Sequence, residues 1–88
     1  MGITRQAIHD KLVAAIQAEP RIFIAKDALA LQDADRLGED AGFDSVGLLY
    51  LVMGIEDCFD VAIDDAEAIA ERFRTWGDVI DFVAAEAP

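Results

Sequence analysis

The stretch Gly42-Phe43-Asp44-Ser45-Val46, followed by the apolar run from Leu48 to Ile55 and the acidic end Glu56-Asp57-Cys58-Phe59-Asp60, decides how the rest of the chain reads. A glycine-containing turn runs into a helical pattern, and Ser45 stands at the join. That is where an N-cap serine belongs, because its side-chain oxygen can accept an orphan backbone N–H of the first turn. Ser45 is therefore expected as an exposed cap. The positive end of the helix dipole would favour an anion attached to its hydroxyl.

The helix that follows is expected over about Ser45 to Phe59. Stepping about 100° per residue puts Leu48, Leu51, Val52, Ile55 and Phe59 on one side, which should be core. Val46, Leu49, Tyr50 and Met53 fall on the opposite side, with Glu56, Asp57 and Asp60 around them. A helix apolar on both sides is either wholly buried or offers a surface to a partner, and the acids mixed into this second face favour the partner.

The surrounding charge is one-signed. Between Leu37 and Glu71 there is no lysine or arginine, while Glu39, Asp40, Asp44, Glu56, Asp57, Asp60, Asp64, Asp65, Glu67 and Glu71 all fall there. Such a run reads either as a solvated acidic surface or as a one-signed field that steers basic partners to a site within it. The formal net charge of −11 over the whole chain argues against nucleic acid, whose phosphates demand Lys and Arg.

Eighty-eight residues suit one domain spanning 1–88, near the size where burial only just offsets chain entropy. At 55% hydrophobic the chain can fill that core, so it is expected to fold despite its charge. It contains no window resembling a membrane span and no signal-peptide layout, which predicts a cytoplasmic protein. The single cysteine, Cys58, excludes an internal disulfide framework and is expected to pack as a small hydrophobe near the end of the second helix.

A first helix is expected from about Thr4 to Glu19, with Thr4 as cap, Ile8, Leu12, Ala15 and Ile16 on one stripe, and Pro20 as its end. His9 lies beside that stripe without companions at metal-ligand spacing, so it reads as a boundary residue. From Arg21 to Asp44 runs a long connection that should pin itself with Ile22, Phe23, Ile24, Leu29, Leu31, Leu37 and Phe43, with a short helical turn over Lys26 to Leu31. Within it, Asp33-Ala34-Asp35-Arg36-Leu37-Gly38 begins like a calcium-binding EF-hand loop. Leu37 then occupies a ligand position and Asp44 replaces the closing glutamate, so no metal site is expected.

Beyond Val61-Ala62-Ile63, a short acidic helix should run to Glu71 with Asp64 as its cap. Thr75 should cap the last helix, whose inward stripe is Trp76, Val79, Ile80 and Val83, with Phe73 stapled onto its start and Gly77 weakening its first turn. The implied architecture is all-α, a small four-helix bundle of three longer helices and a short third one, with a long loop between the first two.

The run Leu37-Gly38-Glu39-Asp40-Ala41-Gly42-Phe43-Asp44-Ser45-Val46, together with Leu51-Val52-Met53 and Phe59-Asp60-Val61-Ala62-Ile63, resembles the acyl carrier protein family over most of the chain, from about Ile8 to Val83. In that family the serine of an Asp-Ser-Leu motif carries a 4′-phosphopantetheine arm whose thiol holds acyl groups as thioesters. The resemblance implies Ser45 as the attachment site, with Asp44 and Val46 as motif positions read by the phosphopantetheinyl transferase. Val46 replaces the usual leucine. It also implies a partner face of Leu49, Tyr50, Met53, Glu56 and Asp57, read by acyl-loading and acyl-processing enzymes with basic docking surfaces.

Gly47 and Tyr50 depart from the family, standing where carriers of primary fatty acid synthesis often hold acids, so polyketide or other specialised metabolism becomes a candidate. An aminoacyl or peptidyl carrier is the alternative within the same chemistry. An unmodified helical interaction module is the alternative from another class. No linker-like Pro/Ser-rich segment flanks the pattern up to Pro88, which suggests a free-standing, monomeric, bacterial-type carrier. Catalysis by the chain itself is not expected. Phe43 stands where a nucleophile elbow requires glycine, a single histidine leaves no built Ser–His pair, and no phosphate loop is present.

Overall fold

A computed structural model describes residues 3–86; Pro88, invoked above for a free-standing domain, lies outside them. Four α-helices form among the described residues: α1 Arg5–Ala18, α2 Ser45–Phe59, the short α3 Ala66–Arg72 and α4 Trp76–Glu86. α1 packs on α2 and α4, and α2 packs on α3, which gives the expected small helical bundle. No helix among the described residues is long and apolar enough to cross a membrane.

The helix ends follow local chemistry. Thr4 Oγ1 accepts from the Ala7 N–H at 3.1 Å and starts α1. Pro20 disfavours helical backbone at Glu19, which is extended at φ −98°. The buried stripe of α1 is Ile8, Leu12, Val13 and Ile16, with Ala15 only half-buried. α3 begins one residue later than expected, because Asp65 rather than Asp64 accepts from the Ala68 N–H. At α4, Thr75 Oγ1 accepts from the Asp78 N–H, and Asp78 Oδ2 accepts in return from the Thr75 and Arg74 N–H groups, forming a capping box. Phe73 meets Phe82 edge-on at 5.5 Å, so it packs farther along α4 than a staple onto its first turn.

The core centres on Trp76, Ile8, Leu12, Leu37, Leu51, Val52, Ile55, Val79, Ile80 and Val83, all fully buried. Burying an indole leaves one N–H to satisfy. His9 does so: its Nδ1 accepts from Trp76 Nε1 at 2.9 Å, which gives this boundary residue a structural role.

Residues 21–44 are tied down more by polar bonds than by the apolar anchors expected. Leu31, Leu37 and Phe43 are buried and Ile22 and Ile24 half-buried, but Phe23 and Leu29 are 75% and 70% exposed. In an extended stretch alternate side chains point opposite ways, so turning Ile22 and Ile24 inward turns Phe23 out. The expected turn near Lys26 to Leu31 is a 3₁₀ turn at Ala28–Ala30, capped by Asp27, and it buries only Ala28.

A single π-helical turn, Leu37–Ala41, then leads to Gly42 at φ 88°. The Ala25 and Lys26 N–H groups donate to Ala41 O at 2.8 and 3.2 Å. A Cβ on Gly42 would lie 2.8 Å from Ala25 N, so this position requires glycine on both dihedral and steric grounds.

The EF-hand-like acids are engaged elsewhere. Asp33 pairs with Arg5, and Asp35 pairs with Lys26 at 2.7 Å while accepting from the Gln32 N–H. Their backbone also serves α4, whose Trp76 and Gly77 N–H groups donate to Asp35 O and Asp33 O. Gly77 is therefore a point of close approach more than a weak spot, since a Cβ there would lie 3.1 Å from Asp33 O.

Candidate functional site

Ser45 is not the cap of α2. Asp44 takes that role: it is extended, and its Oδ1 accepts from the Gly47 N–H at 2.6 Å. Gly47 permits this close cap, because a Cβ there would lie 3.1 Å from the same Oδ1. It is buried, so it is a structural position and not a missing acid on the partner face. Ser45 becomes the first helical residue, exposed, with its hydroxyl spared from capping. The buried Phe43 and the Gly42 turn hold this corner against the bundle.

The sequence-derived partner residues divide into separate settings around α2. Leu51, Val52, Ile55 and Phe59 are core as expected, but Leu48 is only half-buried. It lines an open cleft of about 310 Å³ between α2 and α3 together with Ser45, Leu49, Ala70 and the carboxylates of Glu67 and Glu71. Tyr50, Met53 and Asp57 instead face the other flank of α2, in a groove shared with the end of α1. Val46 and Met53 are 53% and 50% exposed, the outward apolar residues of this helix. Glu56 belongs to neither recess. It is half-buried, and its Oε2 accepts from the Ile63 N–H, tying the loop after α2 to the helix. Cys58, expected to pack, is exposed at the groove edge.

Arg21 and Glu19 are site residues that the sequence did not reveal. The Arg21 guanidinium lies 4.4 Å from the Tyr50 ring centroid, a cation–π contact, and pairs with Glu19. Glu19 raises the Arg21 pKa from its already high value, and Arg21 holds the Glu19 carboxyl below the usual carboxylate range. No local pattern announces a contact between residues so far apart in sequence; the signal is only that a proline releases Arg21 from α1 near a helix bearing an outward tyrosine.

An acyl carrier protein from an Exiguobacterium species is 33% identical over 60 residues, which cover 68% of this chain and 73% of its own length. The chain belongs to the acyl carrier protein family. A second acyl carrier protein, from Exiguobacterium sibiricum, is 38% identical over 48 residues, 54% of this chain and 58% of its own length. No family model matches. For an acyl carrier protein the arrangement at the start of α2 is chemically coherent: an exposed primary hydroxyl sits at the positive end of a 15-residue helix, at the edge of the α2–α3 cleft and within an acidic surface.

Proposed function

We propose that this acyl carrier protein holds acyl groups as thioesters on a 4′-phosphopantetheine arm joined to Ser45 Oγ, and delivers them to enzymes that perform the chemistry. The observation that carries this reading is the division of labour at the helix start. Asp44 makes the capping bond, which leaves the exposed Ser45 hydroxyl free to react. A phosphodiester at that position suits the residues present, because it would add an anion at a helix N-terminus. When bound, the arm supplies a terminal thiol that exchanges acyl groups.

In the loading step, Ser45 Oγ attacks the arm-bearing phosphorus of coenzyme A. An Oγ–P bond replaces the phosphoanhydride bond, adenosine 3′,5′-bisphosphate leaves with the electron pair, and the serine proton passes to a base on the transferase. Asp44 holds the turn, and the exposed Val46 offers an apolar contact beside it. The acidic α2–α3 surface supports docking by basic enzymes in the cytoplasm. Tyr50, covered by the Arg21 guanidinium, supports a specialised pathway over primary fatty acid synthesis, where the family resemblance implies an acid at that position.

Incubation with coenzyme A, Mg²⁺ and a broad-specificity phosphopantetheinyl transferase should add one arm, read by intact mass, and Ser45→Ala should abolish the addition. Asp44 supplies the cap, so Ser45→Ala retains its fold and the loss is chemical. A wild-type chain left unmodified where a control carrier is modified overturns the reading.

A further inference from the structure

The carrier chemistry makes no use of the bond between the chain's one histidine and its one tryptophan. His9 and Trp76 lie 67 residues apart in sequence and meet where α1 packs on the start of α4. Their rings stand nearly perpendicular, at 84°, with centroids 5.8 Å apart, and Trp76 Nε1–H donates to His9 Nδ1 at 2.9 Å. A ring nitrogen that accepts is unprotonated, so the imidazole in this pair is neutral and carries its proton on Nε2.

The two partners differ in their access to water. Trp76 is 0% exposed, whereas His9 is half-buried and lines an open recess with Arg5, Gln32 and Asp33. A proton can reach the imidazole from solvent, but water cannot replace the imidazole at the indole unless Trp76 moves. Imidazolium has no lone pair on either nitrogen. Its formation would leave a buried N–H unpaired, where no buried side-chain polar atom among the described residues is unpaired now.

The charged groups around His9 are engaged elsewhere. Arg5 holds Asp33 at 2.6 Å and pairs with Asp81 of α4. On α1, Asp10 accepts from Gln6 and Lys11 lies over the Phe59 ring. Asp78 closes the capping box of α4, and Asp27 caps the 3₁₀ turn. From α2, Tyr50, Asp57 and Cys58 face the far end of α1, and Glu56 bonds the Ile63 N–H. Arg5 opposes a charge on His9 while Asp33 and Asp81 favour it, all from exposed positions where screening is strong.

We infer that His9 is an acid-sensitive clasp: protonating its imidazole withdraws the acceptor from Trp76, and the contact between α1 and the first turn of α4 loosens as pH falls from neutral. The exposed Arg5–Asp81 pair, the other polar link between these helices, holds weakly. Trp76 also donates its backbone N–H to Asp35 O, so the residue released is the one that joins α1, α4 and the 21–44 connection. The sign follows from the neutral form, which keeps the bond and its stabilisation at high pH; the charged form loses both. Overall charge predicts the reverse, because each proton taken up by a chain of formal net charge −11 relieves repulsion.

Thermal melts by circular dichroism from about pH 8 to about pH 5 span the imidazole range and stay above that of the carboxylates. The wild-type melting temperature should fall across this window by roughly 4–8 °C. His9→Gln, which keeps an acceptor but does not titrate, should remove most of the fall, and so should Trp76→Phe, which removes the donor. Trp76 is the single tryptophan, so its emission should shift to the red toward acid pH in the wild type and stay still in His9→Gln. A wild-type melting temperature that is level or rises toward pH 5, or a fall of equal size in His9→Gln, overturns the proposal. If one variant fails to fold, the other decides. Neither readout involves the arm or its transferase, so the result stands apart from the carrier reading.

Discussion

The loop from Arg21 to Asp44 and the segment from α2 through α3 both carry many acids, yet they use them in opposite ways. In the loop each carboxylate before the Asp44 cap has a partner: Asp27 caps the 3₁₀ turn, Asp33 pairs with Arg5, Asp35 with Lys26, and Glu39 and Asp40 with Arg36. In the α2–α3 segment, Asp57, Asp60, Asp64, Glu67 and Glu71 form no ion pair among the described residues; Glu56 and Asp65 bond only backbone N–H groups. A long connection is the usual place for mobility and a helix pair the usual place for stability. Here the loop's charge is consumed in holding its shape, and the helices' charge is left for something outside the chain.

The largest effect should come from testing the two faces of α2. Ile55→Ala, at a fully buried site, should cost on the order of 2–5 kcal/mol by chemical denaturation. Met53→Ala, half exposed, should cost about 0.5 kcal/mol or less. Comparable losses would erase the distinction between a structural and an outward side of the helix.

Next is Gly42→Ala, which combines a left-handed backbone with a clash against Ala25 and should cost roughly 2–4 kcal/mol. A neutral result would mean that the loop is not held at that corner.

The loop's pairing also predicts a pH response. Hydrogen bonding from Lys26 lowers the Asp35 pKa, and bonding from the Arg36 backbone and side chain lowers that of Asp40. A depressed folded-state pKa stabilises the fold above the unfolded value of about 3.9, and that contribution fades as pH falls through the folded value. Melting temperature should therefore drop below about pH 4, and Asp35→Asn should show a shallower drop from a lower starting point. Equal slopes would show that the Lys26 pair contributes nothing.

The smallest effect concerns the unpaired segment. Moderate NaCl should raise the melting temperature by screening repulsion among the α2–α3 acids, and Mg²⁺ should do more at equal ionic strength. Glu67→Lys should reduce that salt response. A melt indifferent to salt would mean these acids are too dispersed to repel.

Periodicity and cap chemistry made the helices legible. Thr4 and Thr75 cap where their position before an apolar stripe predicts, and the α2 core of Leu51, Val52, Ile55 and Phe59 follows from angular spacing. The cap of α2 was misread by one residue because Asp44 and Ser45 are adjacent and both residue types cap well. Only the placement of Gly47 against Asp44 decides between them. Ser45, as the exposed residue at the helix start, was legible; the recesses on the two flanks of α2 were not, since they depend on Ala18, Gly54 and Ala70 being small opposite particular neighbours. The loop was least legible. Its π turn, the outward Phe23 and Leu29, and its bonds to α4 are tertiary outcomes that local propensity does not encode.

The start of α4 receives the Asp33 and Asp35 carbonyls, and the loop backbone receives the Arg74 carbonyl through the Leu37 N–H. The last helix therefore does not own its first turn: two of its otherwise unpaired amides are completed by chain made far earlier. Closing that separation carries one entropic cost shared by loop and helix. The corner that presents Ser45 is thus latched from the far end of the sequence, through the Leu37 N–H on Arg74 O and the Phe43 N–H on Leu37 O.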